Sequence, residues 1–158
     1  MFESSAIENR RSQRWGPILV GTDGSDGACR AIDAAAGLAA DLCIQLLIVY
    51  VIDSGSDLAT TRYARAEETL IGDVVETAAS RILSEATIRA RAEGAANVHS
   101  TLCSGPTAAA LVAAARKAGA GAIFVGRRGV GGRLSQALMR SVSQKLAGIS
   151  PVNLEIVP

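Results

Sequence analysis

Aromatic side chains are scarce, with two Phe, two Tyr and one Trp in 158 residues. A surface that stacks nucleic-acid bases needs exposed rings, so this composition argues against such a role. An excess of either charge is missing too. Sixteen basic residues stand against fifteen acidic ones, a net charge of +1, and no long-range field gathers DNA or anionic lipid. Arg10, Arg11 and Arg14 form a small basic cluster that reads as part of a solvated tail. Cysteine is limited to Cys29, Cys43 and Cys103. An odd number, widely spaced and without CxxC, argues against a disulfide framework and a zinc site and suggests small buried hydrophobes in a reducing compartment. No apolar run approaches the ~20 residues of a membrane span, and the first residues lack the apolar core of a signal peptide, so a cytoplasmic protein is expected. The single histidine, His99, falls inside a strand pattern, where a satisfied or exposed residue is expected rather than a catalyst. No Ser-His-Asp or Cys-His arrangement can be built from it, and no carboxylate pair has metal-ligand spacing.

What is present is small apolar residues, many of them alanine, in a chain of one-domain length that is 49% hydrophobic. Residues 1–15 are polar and aperiodic and read as a disordered tail, leaving 16–158 as the folded domain. Ile18 to Val20 is a short apolar run closed by Gly21 and Gly24, a buried strand ending in a turn. Ser25 can cap a helix whose inner face is Ile32, Ala35, Ala36 and Ala39. Residues 43–52 form a second run, apolar enough for both faces to be covered. Asp53 to Tyr63 is a polar loop, in which Asp53 and Asp57 could approach a metal or ribose but, like most loop acids, read as solvated. Leu70, Val74, Ala78, Ile82 and Ala86 then mark one stripe of a long helix ended by Gly94, with Glu67, Glu68, Arg62 and Arg65 on its wet face. Residues 97–103 alternate as a third strand. After Pro106 a helix turns Leu111, Val112 and Ala115 inward and stops at Gly119. Residues 122–126 are a fourth strand, and a last helix to Gly148 precedes a fifth strand at VNLEIV.

This order of buried strands and amphipathic helices predicts an open, doubly wound parallel sheet. Ligands of such folds lie beyond the carboxyl ends of the strands, where the winding reverses. The segments pointing there are Gly21-Thr22-Asp23, Val51-Ile52-Asp53 and Gly126 onward. GRRGVGG, from Gly126, supplies glycines that let backbone N–H groups approach a phosphate. Ser141-Val142-Ser143-Gln144 then opens a helix as a capping box with Ser141 as N-cap, adding the free N–H groups of a helix start. The spacing is not that of a Walker loop, nor of the dinucleotide fingerprint. Asp23 has two readings, a ligand contact or the carboxylate of an ordinary Asp-Gly-Ser turn.

VGTDGS after the first strand, VYVID in the second, Ser-Gly-Pro at 104–106, IFVGRRGVGG, RSVSQKL and the closing PVNLEIVP together resemble the universal stress protein family, from about Pro17 to Pro158. The resemblance implies a Rossmann-like sheet of five strands in the order 3-2-1-4-5, of the adenine-nucleotide alpha-hydrolase type. It implies a homodimer through the last strand, Val152 to Val157. In nucleotide-binding members, ATP lies across the strand ends, with or without Mg²⁺. Carried over, Asp23 takes the ribose and base region, Val51 lies against adenine, Gly126 and Gly129 match the first glycines of the signature, and Ser141 and Ser143 match the hydroxyls that reach the phosphates. Gly21, Thr22, Val125, Arg128, Arg140 and Val142 complete the candidate nucleotide-binding set. Ten residues separate Gly129 from Arg140, where the family signature has nine and then Gly-Ser; Gly121 stands where many members carry Asp. If the backbone at Arg140 needs positive φ, arginine there costs on the order of 1 kcal/mol. Its guanidinium could instead take over phosphate contacts, aided by Arg127, Arg128 and Arg133. A nucleotide-free dimer acting through a protein partner stays open, as do AMP and cyclic AMP in place of ATP. No catalytic group is implied beyond slow ATP hydrolysis by a bound water.

Overall fold

The computed structural model describes residues 15–53, 68–127 and 142–158. Its strands are β1 (Ile18–Gly21), β2 (Leu46–Ile52), β3 (Val98–Ser104), β4 (Ala122–Gly126) and β5 (Asn153–Val157). Its helices are α1 (Asp26–Leu42), α2 (Glu68–Ala92) and α3 (Thr107–Ala118), and residues 142–149 form α4. All pairings are parallel and the sheet order is β3-β2-β1-β4-β5. The winding reverses between β1 and β4, where Val20 is level with Phe124.

Strand parity divides the core in two, because successive side chains point to opposite faces. Ile18 and Val20 of β1, Leu46 and Ile48 of β2 and Phe124 of β4 face one way. Against them lie Ala31, Ile32, Ala35, Ala36 and Ala39 of α1, and Leu83, Ala86 and Ala90 of α2. Leu19, Val49, Ile123 and Val125 face the other way, under Ala108, Leu111, Val112 and Ala115 of α3 and Leu146 of α4. Alanine on the inner faces lets the helices lie close to the sheet, so the large strand side chains fill the space between. Leu19 and Ile123 are fully buried, and truncating either to alanine removes about 3 kcal/mol.

Helix boundaries follow local chemistry. Ser25 caps α1, its hydroxyl oxygen accepting from Ala28 N at 3.2 Å, as expected from the sequence. Gly119 closes α3 in the left-handed conformation, φ 64°. At Gly94, φ is 98° and the chain turns out of α2 into β3.

Several expectations change. The second strand begins at Leu46 rather than residue 43, because α1 runs on to Leu42 and Cys43 ends it in the left-handed conformation, φ 54°. The buried stripe of α2 is Ala79, Leu83, Ala86 and Ala90, while Val74 is 68% exposed. A strict fourth-residue repeat advances about 40° per step around an α-helix, so a row through Val74 and Ala78 drifts off the inner face. None of the cysteines is a buried hydrophobe, since Cys29 and Cys103 are half-buried and Cys43 is exposed. β3 buries only Val98, as befits an edge strand, and His99 is exposed with its Nε2 3.0 Å from Asn97 Oδ1.

Trp15, assigned to the tail, is instead placed against the domain. Its carbonyl passes directly over Gly121, and Gly121 N donates to Pro17 O at 2.9 Å. A Cβ on Gly121 would overlap that carbonyl, so the aspartate common in the resembling family has no room here. Gly16, at φ 62°, makes the reciprocal approach to the Gly119 carbonyl. The remaining tail, residues 1–14, lies outside the described residues.

Candidate functional site

The carboxyl ends of β1, β2 and β4 gather the described part of the expected site. Gly21 is level with Val49 in the sheet, which sets Val51 two residues further out along β2. Val51 is half-buried and packs on the second core cluster, presenting an aliphatic surface beside the end of β1. Thr22 N still donates to Val49 O at 2.9 Å, so the sheet extends one bond past the strand before the chain turns.

The turn that follows is built from side chains accepting from the backbone. Thr22 Oγ1 accepts from Gly24 N at 3.2 Å and Asp23 Oδ1 from Ser25 N at 2.9 Å. Asp23 therefore does make the Asx turn that its sequence allowed. Gly24 has φ 80°, and Ile82 of α2 packs within 3.1 Å of where its Cβ would be. Behind this turn is a recess of about 140 Å³ between α1 and α2, reaching Cys29, Glu85 and Arg89. It is smaller than the ~300 Å³ at which small-molecule pockets begin.

α1 and α2 are fastened to each other beside this recess. Arg89 Nε donates to Asp33 Oδ1 at 2.5 Å and Arg89 Nη2 to Oδ2 at 2.7 Å, a two-point fork. The hydrogen bond to Asp33 holds the Arg89 pKa above its already high usual value.

Gly126 ends β4 and is buried. A Cβ there would run into the main chain of Gly27, and would stand 2.8 Å from Ala28 N. Its glycine is thus demanded by the N-terminal turn of α1, whatever else approaches it. The next residue, Arg127, is exposed, and its N–H donates to Val157 O at 2.8 Å. Val125 belongs to the core at 3% exposure, so only its main chain is available to a ligand. Gly21 is likewise constrained, with Leu111 side-chain carbons 3.1 and 3.2 Å from a Cβ built on it. Val142 and Ser143 open the described part of α4. Val142 packs on the same cluster as Val125, and Ser143 is buried and partnered. Arg128, Gly129, Arg133, Arg140 and Ser141 lie outside the described residues, as does Asp57.

Asp53 was also misjudged from sequence. Asp53 is not a solvated loop acid. Its Oδ2 accepts from Thr107 N at 3.3 Å and from Thr107 Oγ1 at 3.2 Å, so it caps α3 from the end of β2. The available signal was Pro106, which occupies the α3 N-cap and offers no side-chain acceptor. Among the described residues no group of three or more His, Cys, Asp or Glu could hold a metal ion, and no helix is long and apolar enough to cross a membrane.

A parallel sheet reversing at β1/β4, with a polar turn and a glycine at the two strand ends, defines an open, doubly wound α/β domain. Within that class the chain belongs to the universal stress protein family, whose sequence model matches residues 14–158. The solved structures agree. A universal stress protein in complex with cAMP is 30% identical, with 90% of this chain and 96% of that one covered, at TM-score 0.65. A family member from Burkholderia pseudomallei is 27% identical over 91% of this chain and 96% of that one, at TM-score 0.70. The universal stress protein from Archaeoglobus fulgidus in complex with dAMP shares the fold at TM-score 0.65 and 23% identity, over 91% and 98% of the two chains. No curated protein sequence matches the chain.

Proposed function

We propose that this universal stress protein binds an adenine nucleotide across the carboxyl ends of β1, β2 and β4 and works as a homodimeric stress-signalling module rather than as an efficient enzyme. The observation that carries the reading is the convergence of Val51, the Thr22–Ser25 turn and Gly126 at the β1/β4 reversal. Val51 offers an apolar surface for adenine, Asp23 a carboxylate for the ribose hydroxyls, and the segment after Gly126 main-chain donors for phosphate. The 30%-identical relative in complex with cAMP supports an adenine nucleotide as the ligand class. ATP is the form we favour, with AMP and cyclic AMP as the alternatives. β5 lies at the sheet edge with Ile156 37% exposed, which suits strand pairing between two copies through residues 152–157.

The test is ligand-dependent melting. At a free ATP concentration of about 100 times Kd, a nucleotide that binds only the folded protein adds about 2.7 kcal/mol of stability. Unchanged melting with millimolar ATP, AMP and cyclic AMP defeats the reading. A second reading, a nucleotide-free dimer that docks a protein partner, is favoured by a specific finding. Gly126 and Asp23 both have structural employment, the one against α1 and the other in its turn, so neither requires a ligand.

A further inference from the structure

We infer that Asp53 is a positioning residue for the adenine-facing end of β2, acting through the N-terminus of α3. Part of this inference, the consequence for affinity, rests on the nucleotide reading above; the positioning itself does not. β2 is the longest strand beside β1, and past Gly21 it loses that neighbour: the register of β1 and β2 ends at Gly21 with Val49. Val51 and Ile52 therefore project beyond β1, paired only with Cys103 and Ser104 of the edge strand β3. Both are half-buried, where Leu46, Ile48 and Val49 are buried. Such an overhang needs another anchor if Val51 is to present one fixed surface.

The anchor is the β3–α3 turn. Gly105 N donates to Ile52 O at 3.0 Å, the last bond of the β2–β3 ladder, and Gly105 itself, at φ 121°, turns the chain toward α3. One residue on, the Asp53 carboxylate accepts from both the main chain and the hydroxyl of Thr107. α3 has no side-chain cap of its own and no acidic residue in its first turn, so the carboxylate from β2 is the group that meets its positive end. α3 is in turn held to the sheet by Leu111, Val112 and Ala115, in the same cluster that Val51 packs on. The end of β2 is thereby tied to a rigid element on the face where Val51 packs.

The effect expected is a loss of affinity without loss of the fold. Removing an N-cap acceptor is worth about a fivefold change in an equilibrium, whereas asparagine caps as well as aspartate. Three variants separate the cases: Asp53→Ala, Asp53→Asn and Thr107→Val. The readouts are the Val51 methyl resonances of the nucleotide-free protein and calorimetric titration with ATP, AMP and cyclic AMP, at a temperature where each variant is folded. Asp53→Ala is expected to move the Val51 methyls and to weaken binding about fivefold, while Asp53→Asn stays within about twofold of wild type. Thr107→Val, which keeps the main-chain bond, is expected to move the same methyls by less, and it decides the matter if Asp53→Ala does not fold. Unmoved Val51 methyls overturn the inference. So does unchanged affinity in Asp53→Ala where the wild type binds, or an equal loss in the alanine and asparagine variants, which would make the charge itself the binding feature. If the wild type binds none of the three nucleotides, the proposed function fails and the methyl spectra alone decide the role of Asp53.

Discussion

The two ends of the sheet use glycine in the same way and for different consequences. At the amino ends of β1 and β4, Gly16 and Gly121 let two main-chain segments cross in close contact. At the carboxyl ends, Gly126 lets the first turn of α1 lie against β4, while the neighbouring turn is held by side chains accepting from backbone N–H groups. A glycine beside a strand end is therefore no proof of a phosphate. What distinguishes the carboxyl end is the company of a polar turn, an overhanging β2 and a reversal of winding.

Substitutions at the two ends sharpen the contrast. The largest effect is expected for Gly126→Ala, because both partners of the new Cβ are main chain in the middle of the fold and neither can swing aside. Urea unfolding should show a loss of about 3 kcal/mol, and nucleotide binding should fall with it. Gly121→Ala puts its Cβ on the Trp15 carbonyl, but Trp15 opens the described domain and can lift away. A loss of about 1–2 kcal/mol is expected, with faster amide exchange confined to the segment around residues 15–17 and nucleotide affinity unchanged. An equal loss from both substitutions would erase the difference between the ends.

Ser25→Ala removes the α1 cap and should lower stability by about 1 kcal/mol, a melting shift of roughly 2–4 °C by calorimetry. The smallest effect belongs to Asp33→Ala. The Arg89–Asp33 pair has side-chain exposures of 45% and 30%, and screening by solvent and salt holds its contribution below about 1 kcal/mol despite the forked geometry. Added salt should shrink the difference between wild type and this variant further.

The strand order was legible only through the family resemblance, whereas β1 and β4 were legible as short, nearly unbroken apolar runs between turn residues and β3 through its alternation. The inner face of α1 was legible for the same kind of reason, since Ile32, Ala35, Ala36 and Ala39 keep a true helical spacing. The stripe of α2 was misjudged at Val74 and Ala78, which are exposed, and held at Ile82 and Ala86, because a fourth-residue row drifts about 40° per step off the inner face. Gly121 and Asp53 were opaque for another reason. Each is explained by a residue far away in sequence, Trp15 in one case and Thr107 in the other, and no local pattern announces such a meeting. Of the site, Gly21, Thr22, Asp23, Val51, Val125 and Gly126 do come together, but their side chains are more occupied than the sequence suggested.

Backbone amide spectra recorded during titration with ATP, and in parallel with AMP and cyclic AMP, test the account most directly. Nucleotide occupying the proposed place shifts the amides of Thr22 to Ser25, Val51 to Asp53 and Gly126–Arg127 saturably, and leaves Ile18, Ala122 and Asn153 at the opposite end unmoved. Saturable shifts at that opposite end, or none anywhere with millimolar ligand, contradict it.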